Sequence, residues 1–158
     1  MVHQEKKYRV NSFGPIEKLL SELGAKKGNQ TVTIHYYAQR PGNDVVKLVE
    51  YRDRCEIHML KELNGKFSLT DRISAENTKA GLQWLRDKGY KKLTIVTMTN
   101  SDYRYKDGVV GLYIINDSLY SVILDFPQNQ HEAIARELGL ENAELISLPY
   151  NKYLEQNP

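Results

Sequence analysis

Met1-Val2-His3-Gln4-Glu5-Lys6-Lys7-Tyr8-Arg9-Val10 opens the chain and indicates a β-strand with one polar, ionisable face. Because successive side chains of a strand point to opposite faces, the odd-numbered residues share one side, which carries His3, Glu5, Lys7 and Arg9. The other side carries Val2, Gln4, Lys6, Tyr8 and Val10. Such a strand either lines a polar interior or protects a sheet edge by charge. The stretch alone leaves both interpretations open.

Length and composition predict one globular domain, residues 1–158, with 41% hydrophobic and 27% charged residues. That length supports a core without disulfides. No apolar run approaches the roughly 18 residues of a membrane span, and no secretory leader opens the chain, so we expect a cytoplasmic protein without a membrane partner. The single Cys55 excludes an internal disulfide and a thiolate metal cluster. Net charge of +2 with mixed signs argues against a nucleic-acid partner.

Strand patterns dominate the rest of the chain and are separated by turn sequences. Asn64-Gly65 is the strongest hairpin signal, and Arg40-Pro-Gly-Asn43 predicts another turn. Further strands are predicted at residues 31–38, 45–51, 56–61, 66–72, 92–100, 109–115 and 119–126.

Helical patterns interrupt these strands at three places and close the chain at a fourth. Pro15 at the start and Gly24 past the end bound the first helix, and residues 76–88 predict the second. A third helix is predicted over residues 130–138, with Asn129 and Glu132 at capping-box spacing. A short strand or turn and a helix over residues 150–155 follow.

The order of elements predicts an α+β fold with about eight antiparallel strands. Consecutive antiparallel strands of this kind can close into a barrel, which removes exposed edges and leaves an interior for side chains or a small ligand. We therefore expect a closed, tunnel-like barrel with flanking helices.

Local patterns resemble the CYTH or triphosphate tunnel superfamily, which includes class IV adenylate cyclases and thiamine triphosphatases. His3-Gln-Glu5-Lys-Lys7 stands where those proteins begin with Glu-x-Glu-x-Lys. Val45-Val-Lys47-Leu-Val49-Glu50 aligns with their Arg-Leu-Lys-Leu-Arg-Glu strand. Weaker matches extend the resemblance over nearly the whole chain.

The resemblance implies a tunnel in which cations hold a triphosphate and carboxylates hold Mg²⁺ or Mn²⁺. Cationic side chains suit phosphate oxygens, and hard divalent ions prefer oxygen ligands. The implied phosphate-binding residues are Lys7, Lys47, Lys61 and Arg72, with Lys92 as a further candidate. The implied metal ligands are Glu5, Glu50 and Asp125. No catalytic residue is assigned.

Several positions depart from the superfamily pattern in both charges. Val45 and Val49 stand where arginines are expected, and Tyr113 and Ile123 stand where acids are expected. A cation lost alone leaves buried carboxylates unpaired, which is costly, whereas losing both charges together is coherent. The pattern favours a more apolar pocket with lost or altered catalysis.

Histidine supplies an alternative chemistry. His3, His35 and His58 lie on predicted strands and can meet inside one barrel, where they would bind a metal or exchange protons near neutral pH. His131 lies separately on a helix. Ordinary surface or hydrogen-bonded positions are the simpler interpretation of all four.

Three functions remain open from the sequence. The first is a barrel with degraded catalytic motifs that binds an organic phosphate or another anionic small molecule. The second is a phosphohydrolase that needs Mg²⁺ or Mn²⁺ to act on a triphosphate substrate. The third is an interaction module without catalysis, with a homodimer as one form.

Overall fold

The computed structural model describes residues 2–40, 45–63 and 66–158, which form nine strands and four α-helices. The strands are β1 His3–Val10, β2 Lys26–Gln39, β3 Val45–Glu50, β4 Cys55–Leu63, β5 Lys66–Ala75, β6 Lys91–Tyr105, β7 Gly108–Ile115, β8 Leu119–Pro127 and β9 Glu144–Ile146. The helices are α1 Gly14–Glu22, α2 Thr78–Asp87, α3 His131–Glu137 and α4 Tyr150–Gln156. No described helix has the length and apolar character that crossing a membrane requires.

The strands form one antiparallel sheet in the order β5-β4-β3-β2-β6-β7-β8-β1-β9. This confirms the α+β class. The order has two ends, at β5 and β9, so hydrogen bonds between described residues do not close the sheet. The predicted closed barrel of about eight strands is therefore not confirmed, and the short β9 is an additional strand that pairs with β1.

The chain divides into two compact units. The first unit comprises Met1–Thr31 with Thr99–Leu148, and the second comprises Val32–Met98 with Pro149–Pro158. The boundary falls inside β2 and β6. The single domain expected over residues 1–158 stays a prediction.

The core of the first unit lies between one face of its strands and the helices α1 and α3. Tyr8, Leu124 and Phe126 from β1 and β8 pack in one cluster with Leu20 of α1 and Ile134 of α3. In β1 these apolar residues have even numbers, as the alternation predicts. The odd-numbered residues of β1 consequently lie on the opposite face.

The core of the second unit lies between its strands and α2. Leu48, Ile57 and Leu85 are almost fully buried in this cluster. α2 lies very close to the sheet at Gly81, where an added Cβ would come within 2.6 Å of Leu48 Cδ1. The side chains of β3 and β4 that alternate with Leu48 and Ile57 therefore lie on the face away from α2.

Several element boundaries differ from the sequence-based expectation. β2 begins five residues earlier and β6 ends five residues later than predicted. The capping box at Asn129 is wrong, because a 3₁₀ turn over Gln128–Gln130 precedes α3 and Gln130 makes no side-chain cap hydrogen bond. The turn at Asn64-Gly65 and the Pro41–Asn43 part of the other predicted turn lie outside the described residues.

Candidate functional site

Two of the predicted metal ligands lie opposite each other in the first unit. Glu5 of β1 pairs in register with Asp125 of β8. Directly opposite residues of an antiparallel pair have side chains on the same face. His3 Nδ1 lies 3.2 Å from Asp125 Oδ1, and both side chains are partly exposed. The polar face predicted for β1 thus brings Glu5 and Asp125 together.

Lys7, a predicted phosphate ligand, lies on the same face but is partly buried. Its Nζ donates a hydrogen bond of 2.8 Å to the backbone carbonyl of Leu148. Burial lowers the pKa of the Lys7 ammonium, and the charge of Glu5 partly opposes that effect. The Lys7 side chain is therefore held by the protein in this state.

Two other predicted phosphate ligands, Lys47 and Arg72, lie in the second unit with His58 between them. Lys47 of β3 pairs with His58 of β4, and His58 pairs with Arg72 of β5. Tyr37 of β2 pairs with Lys47 on the other side. The register therefore places four polar side chains in one row across four strands.

We call this surface the His–Lys face, and it comprises the side chains on the side of β2–β5 away from α2. The members used below are Thr33, His35, Tyr37, Lys47, Val49, Glu56, His58 and Arg72. Lys47 Nζ lies 5.6 Å from the centre of the Tyr37 ring, a cation–π geometry. Of the described side chains that β2–β5 place on this face, Glu56 is the one carboxylate.

His35 is a buried polar residue on this face. Its Nε2 lies 2.9 Å from Thr33 Oγ1, whereas its Nδ1 is buried without a hydrogen-bond partner among the described residues. Burial lowers the pKa of His35 to about 2, and the nearby Lys47 and His58 add to that effect. The imidazole is consequently uncharged at neutral pH.

His58 and Glu56 form the second buried polar group of the face. His58 Nε2 lies 3.5 Å from Glu56 Oε1, and Arg54 Nε lies 3.7 Å from the same oxygen. Burial lowers the pKa of His58, the Lys47 charge lowers it further, and Glu56 partly opposes both. Glu56 thus has the cationic Arg54 and the histidine His58 beside it, and Arg54 offsets its negative charge. The charges of Lys47 and Arg72 therefore make the face positive.

The depressed pKa of His35 predicts a pH-dependent stability. An unfolded imidazole titrates near 6.5, so between about pH 6.5 and 2 the unfolded chain binds a proton that folded His35 does not. We expect unfolding free energy to fall below pH 6.5. Urea titrations should show His35→Asn flattening this dependence by about 1 kcal/mol per pH unit between pH 6 and 5. An unchanged slope in His35→Asn would contradict the expectation.

Glu50, the third predicted metal ligand, lies on the other face of β3. It is three residues from Lys47, and its Oε1 accepts a hydrogen bond of 2.9 Å from Thr78 Oγ1 at the start of α2. Tyr36 OH donates to its other oxygen at 3.3 Å. The structure therefore does not join Glu50 to the His–Lys face.

Lys61, the fourth predicted phosphate ligand, is also separated from Lys47 and Arg72. It lines a surface depression of about 400 Å³ together with Arg40, Trp84 and Lys88. Trp84 lies in α2 and Lys88 caps the C-terminal end of that helix. Both residues are therefore on the side of the sheet opposite the His–Lys face. Lys92 is exposed, with a positive φ of 55°.

No described group of three or more His, Cys, Asp or Glu side chains could hold a metal ion. Glu5 and Asp125 alone form a pair of oxygen donors, and Glu50 makes its hydrogen bonds on the α2 side of β3. The predicted set of three carboxylates thus does not assemble as a metal centre among the described residues of either unit. The metal roles of Glu5, Glu50 and Asp125, and the phosphate roles of the four cations, stay predictions.

His35, His58 and Glu56 are not among the phosphate or metal ligands that the resemblance implies. Alternation contained the signal, since Thr33, His35 and Tyr37 are spaced by two in β2, as are Glu56 and His58 in β4. The structure brings His35 and His58 onto one face, whereas His3, the third member of the histidine alternative, lies in the first unit with His131.

Solved structures show which class of fold this is. Solved structures that include two proteins described as putative adenylate cyclases and HpAC1 share this antiparallel fold, and at 10–13% identity the likeness is one of fold alone. No protein-family model and no curated protein matches the sequence.

Three neighbours illustrate the likeness. The PH1012 protein of Pyrococcus horikoshii has a TM-score of 0.80 at 18% identity, over 96% of this chain and 98% of that chain. The "putative adenylate cyclase" of Vibrio parahaemolyticus has a TM-score of 0.76 at 11% identity, over 98% of each chain. The "putative adenylyl cyclase" HpAC1 of Hippeastrum, described with a dominant triphosphatase activity, has a TM-score of 0.63 at 10% identity, over 99% and 96%.

Proposed function

We propose that this protein binds a phosphate-containing anionic small molecule at the His–Lys face and does not perform the ordinary catalysis of the CYTH-type enzymes. The observation that carries the proposal is the row in which Lys47 and Arg72 flank His58 on three neighbouring strands. Neighbouring strands lie about 4.8 Å apart, and lysine and arginine side chains are long enough for both cations to reach one phosphate-containing molecule. The predicted cytoplasmic location and tunnel-like enclosure belong to the same proposal.

Electrostatics supports an anionic ligand at this face. Lys47 and Arg72 are cations, His35 and His58 have depressed pKa values, and the one described carboxylate, Glu56, already has Arg54 and His58 beside it. An anion would interact favourably with both cations. Arginine binds phosphate oxygens with paired donors, and lysine adds a point charge.

The departures from the superfamily pattern support binding without ordinary catalysis. Val49, in the position of an expected arginine, is 1% exposed and lies directly opposite His35 and Glu56. An apolar side chain there removes one cation from the face. Fewer cations suit a ligand with less charge or a ligand that is bound and left intact.

Thermal unfolding with inorganic tripolyphosphate tests the proposal. A ligand that binds only the native state at one hundred times its Kd stabilises it by about 2.7 kcal/mol. We expect tripolyphosphate to raise the Tm in EDTA as well as in Mg²⁺, with no release of phosphate. Sodium chloride at equal ionic strength controls for general salt effects. Equal Tm values in tripolyphosphate and chloride would contradict the proposal and favour an interaction module, and sedimentation would then test for a homodimer.

A metal-dependent triphosphatase is the second candidate, and the register of Glu5 with Asp125 favours it. Two carboxylates on adjacent strands give oxygen donors to a hard divalent ion. HpAC1, which shares the fold, is described with triphosphatase activity. Phosphate release that requires Mg²⁺ or Mn²⁺ and disappears in Glu5→Gln would replace the binding proposal with this one.

A further inference from the structure

We infer that His35 contacts the bound anion directly, and that its Nδ1 donates a hydrogen bond to a phosphate oxygen. This inference rests on the proposed function and adds a binding residue that the superfamily resemblance does not supply. It begins from an unsatisfied atom. His35 is 8% exposed, and its Nδ1 has no hydrogen-bond partner among the described residues.

A buried polar atom without a partner is costly and rare in native proteins. The second ring nitrogen of His35 is satisfied, since Nε2 lies 2.9 Å from Thr33 Oγ1. The ring orientation is also supported by Tyr37, whose ring stacks on the His35 ring at a centroid distance of 6.1 Å. The imidazole is thus held in place with one nitrogen satisfied and one not.

The contact with Thr33 is compatible with the tautomer that the inference requires, because a hydroxyl can donate to Nε2 as well as accept from it. A neutral imidazole carries one N–H and one acceptor nitrogen. When the Thr33 hydroxyl donates to Nε2, the hydrogen of the ring lies on Nδ1. Nδ1 is then a donor, which is the polarity that an anionic oxygen needs.

The groups around His35 favour the same ligand. Lys47 of β3 and His58 of β4 lie near enough to lower the His35 pKa, and Arg72 of β5 lies in the same row as Lys47 and His58. Glu56 lies opposite Val49, the residue that pairs with His35, and Arg54 beside it partly offsets its charge. Lys47 pairs with Tyr37, two residues along β2 from His35, so an anion held by Lys47 would lie near the His35 ring.

Two isosteric substitutions separate this role from a structural one. Asparagine places an amide nitrogen near the position of Nδ1, whereas glutamine places its amide near the position of Nε2. Titration calorimetry with tripolyphosphate should show His35→Asn close to wild type and His35→Gln about tenfold weaker, the effect of one hydrogen bond to a charged group. A residue that matters only through Thr33 gives the reverse order, because glutamine keeps that contact.

The nitrogen chemical shifts of the His35 ring provide a second readout in the wild-type protein. We expect the Nδ1 resonance to have the shift of a protonated neutral ring and to move when tripolyphosphate is added, while the ring stays uncharged at pH 7.5. An Nδ1 resonance that does not move, or equal affinities of the asparagine and glutamine variants, would overturn the inference. Lys47→Ala in the same titration tests the proposed function separately. If this variant bound tripolyphosphate as tightly as the wild type, the proposed function would be contradicted.

Discussion

Tripolyphosphate binding is expected to fall about a hundredfold or more when Lys47 and Arg72 are both replaced by alanine. Each charge-assisted hydrogen bond contributes about 1.5–3 kcal/mol, and the double variant removes the two cations that flank His58. Calorimetric titration at 50 and 200 mM salt measures the effect. The wild-type affinity should also fall with salt more steeply than that of the variant, because fewer charges contact the ligand in the variant.

A matched control removes the same two charges from another place in the second unit. Lys79 and Arg86 are exposed on α2, which packs against the opposite face of the sheet. The variant Lys79→Ala, Arg86→Ala should bind within about twofold of wild type, since exposed charges at a distance are largely screened. If the two double variants weakened binding equally, the ligand would be responding to net charge, and the His–Lys face would lose its role.

The largest expected loss of stability comes from Phe126→Ala in the first unit. Phe126 is fully buried in the cluster with Leu124 and Ile134, and its ring lies edge-on to His131 at 6.3 Å. Truncating such a phenylalanine leaves a cavity and costs about 3–5 kcal/mol. Urea unfolding should therefore show a much lower midpoint. Leu145→Ala, at a site that is 57% exposed, should change the unfolding free energy by less than about 0.5 kcal/mol.

A small effect of Phe126→Ala would mean that the packing of β8 against α3 is not as described. Phe126→Leu provides a graded comparison, because leucine refills part of the volume. The leucine variant should lie between alanine and wild type.

Elements with alternation and explicit end signals were predictable. Pro15 and Gly24 bound α1 because proline suits the first turn and Gly24 adopts a φ of 76° past the end. The tight turn at Asn116 and Asp117, both with positive φ, follows from residues that tolerate that conformation. The polar face of β1 likewise followed from period two alone.

The missed parts lack such signals. Residues 26–30 at the start of β2 are polar and exposed, so no alternation indicates a strand. Gly28 lies close to the backbone of Asp102, which shows that this part of β2 pairs with a segment distant in sequence. Strand pairing of that kind can override a weak local preference.

The candidate site was predictable in its residue types but not in its grouping. Lys47 and Glu50 are three residues apart, and an odd spacing places two strand residues on opposite faces. The same rule separates His58 from Lys61. The resemblance to triphosphate-binding proteins predicted individual ligand residues. The register of the strands determines which of those side chains lie on the same face.

The hydrogen bond from Lys7 to the Leu148 carbonyl makes that lysine a discriminator between ligands. An ammonium group has three N–H donors, and the contact with Leu148, at 2.8 Å, uses one of them. A sugar hydroxyl or an amide offers Lys7 another neutral acceptor. An ionised phosphate also supplies the opposite charge, which counters the desolvation that lowers the pKa of the ammonium. We therefore expect any ligand that contacts Lys7 to be an anion.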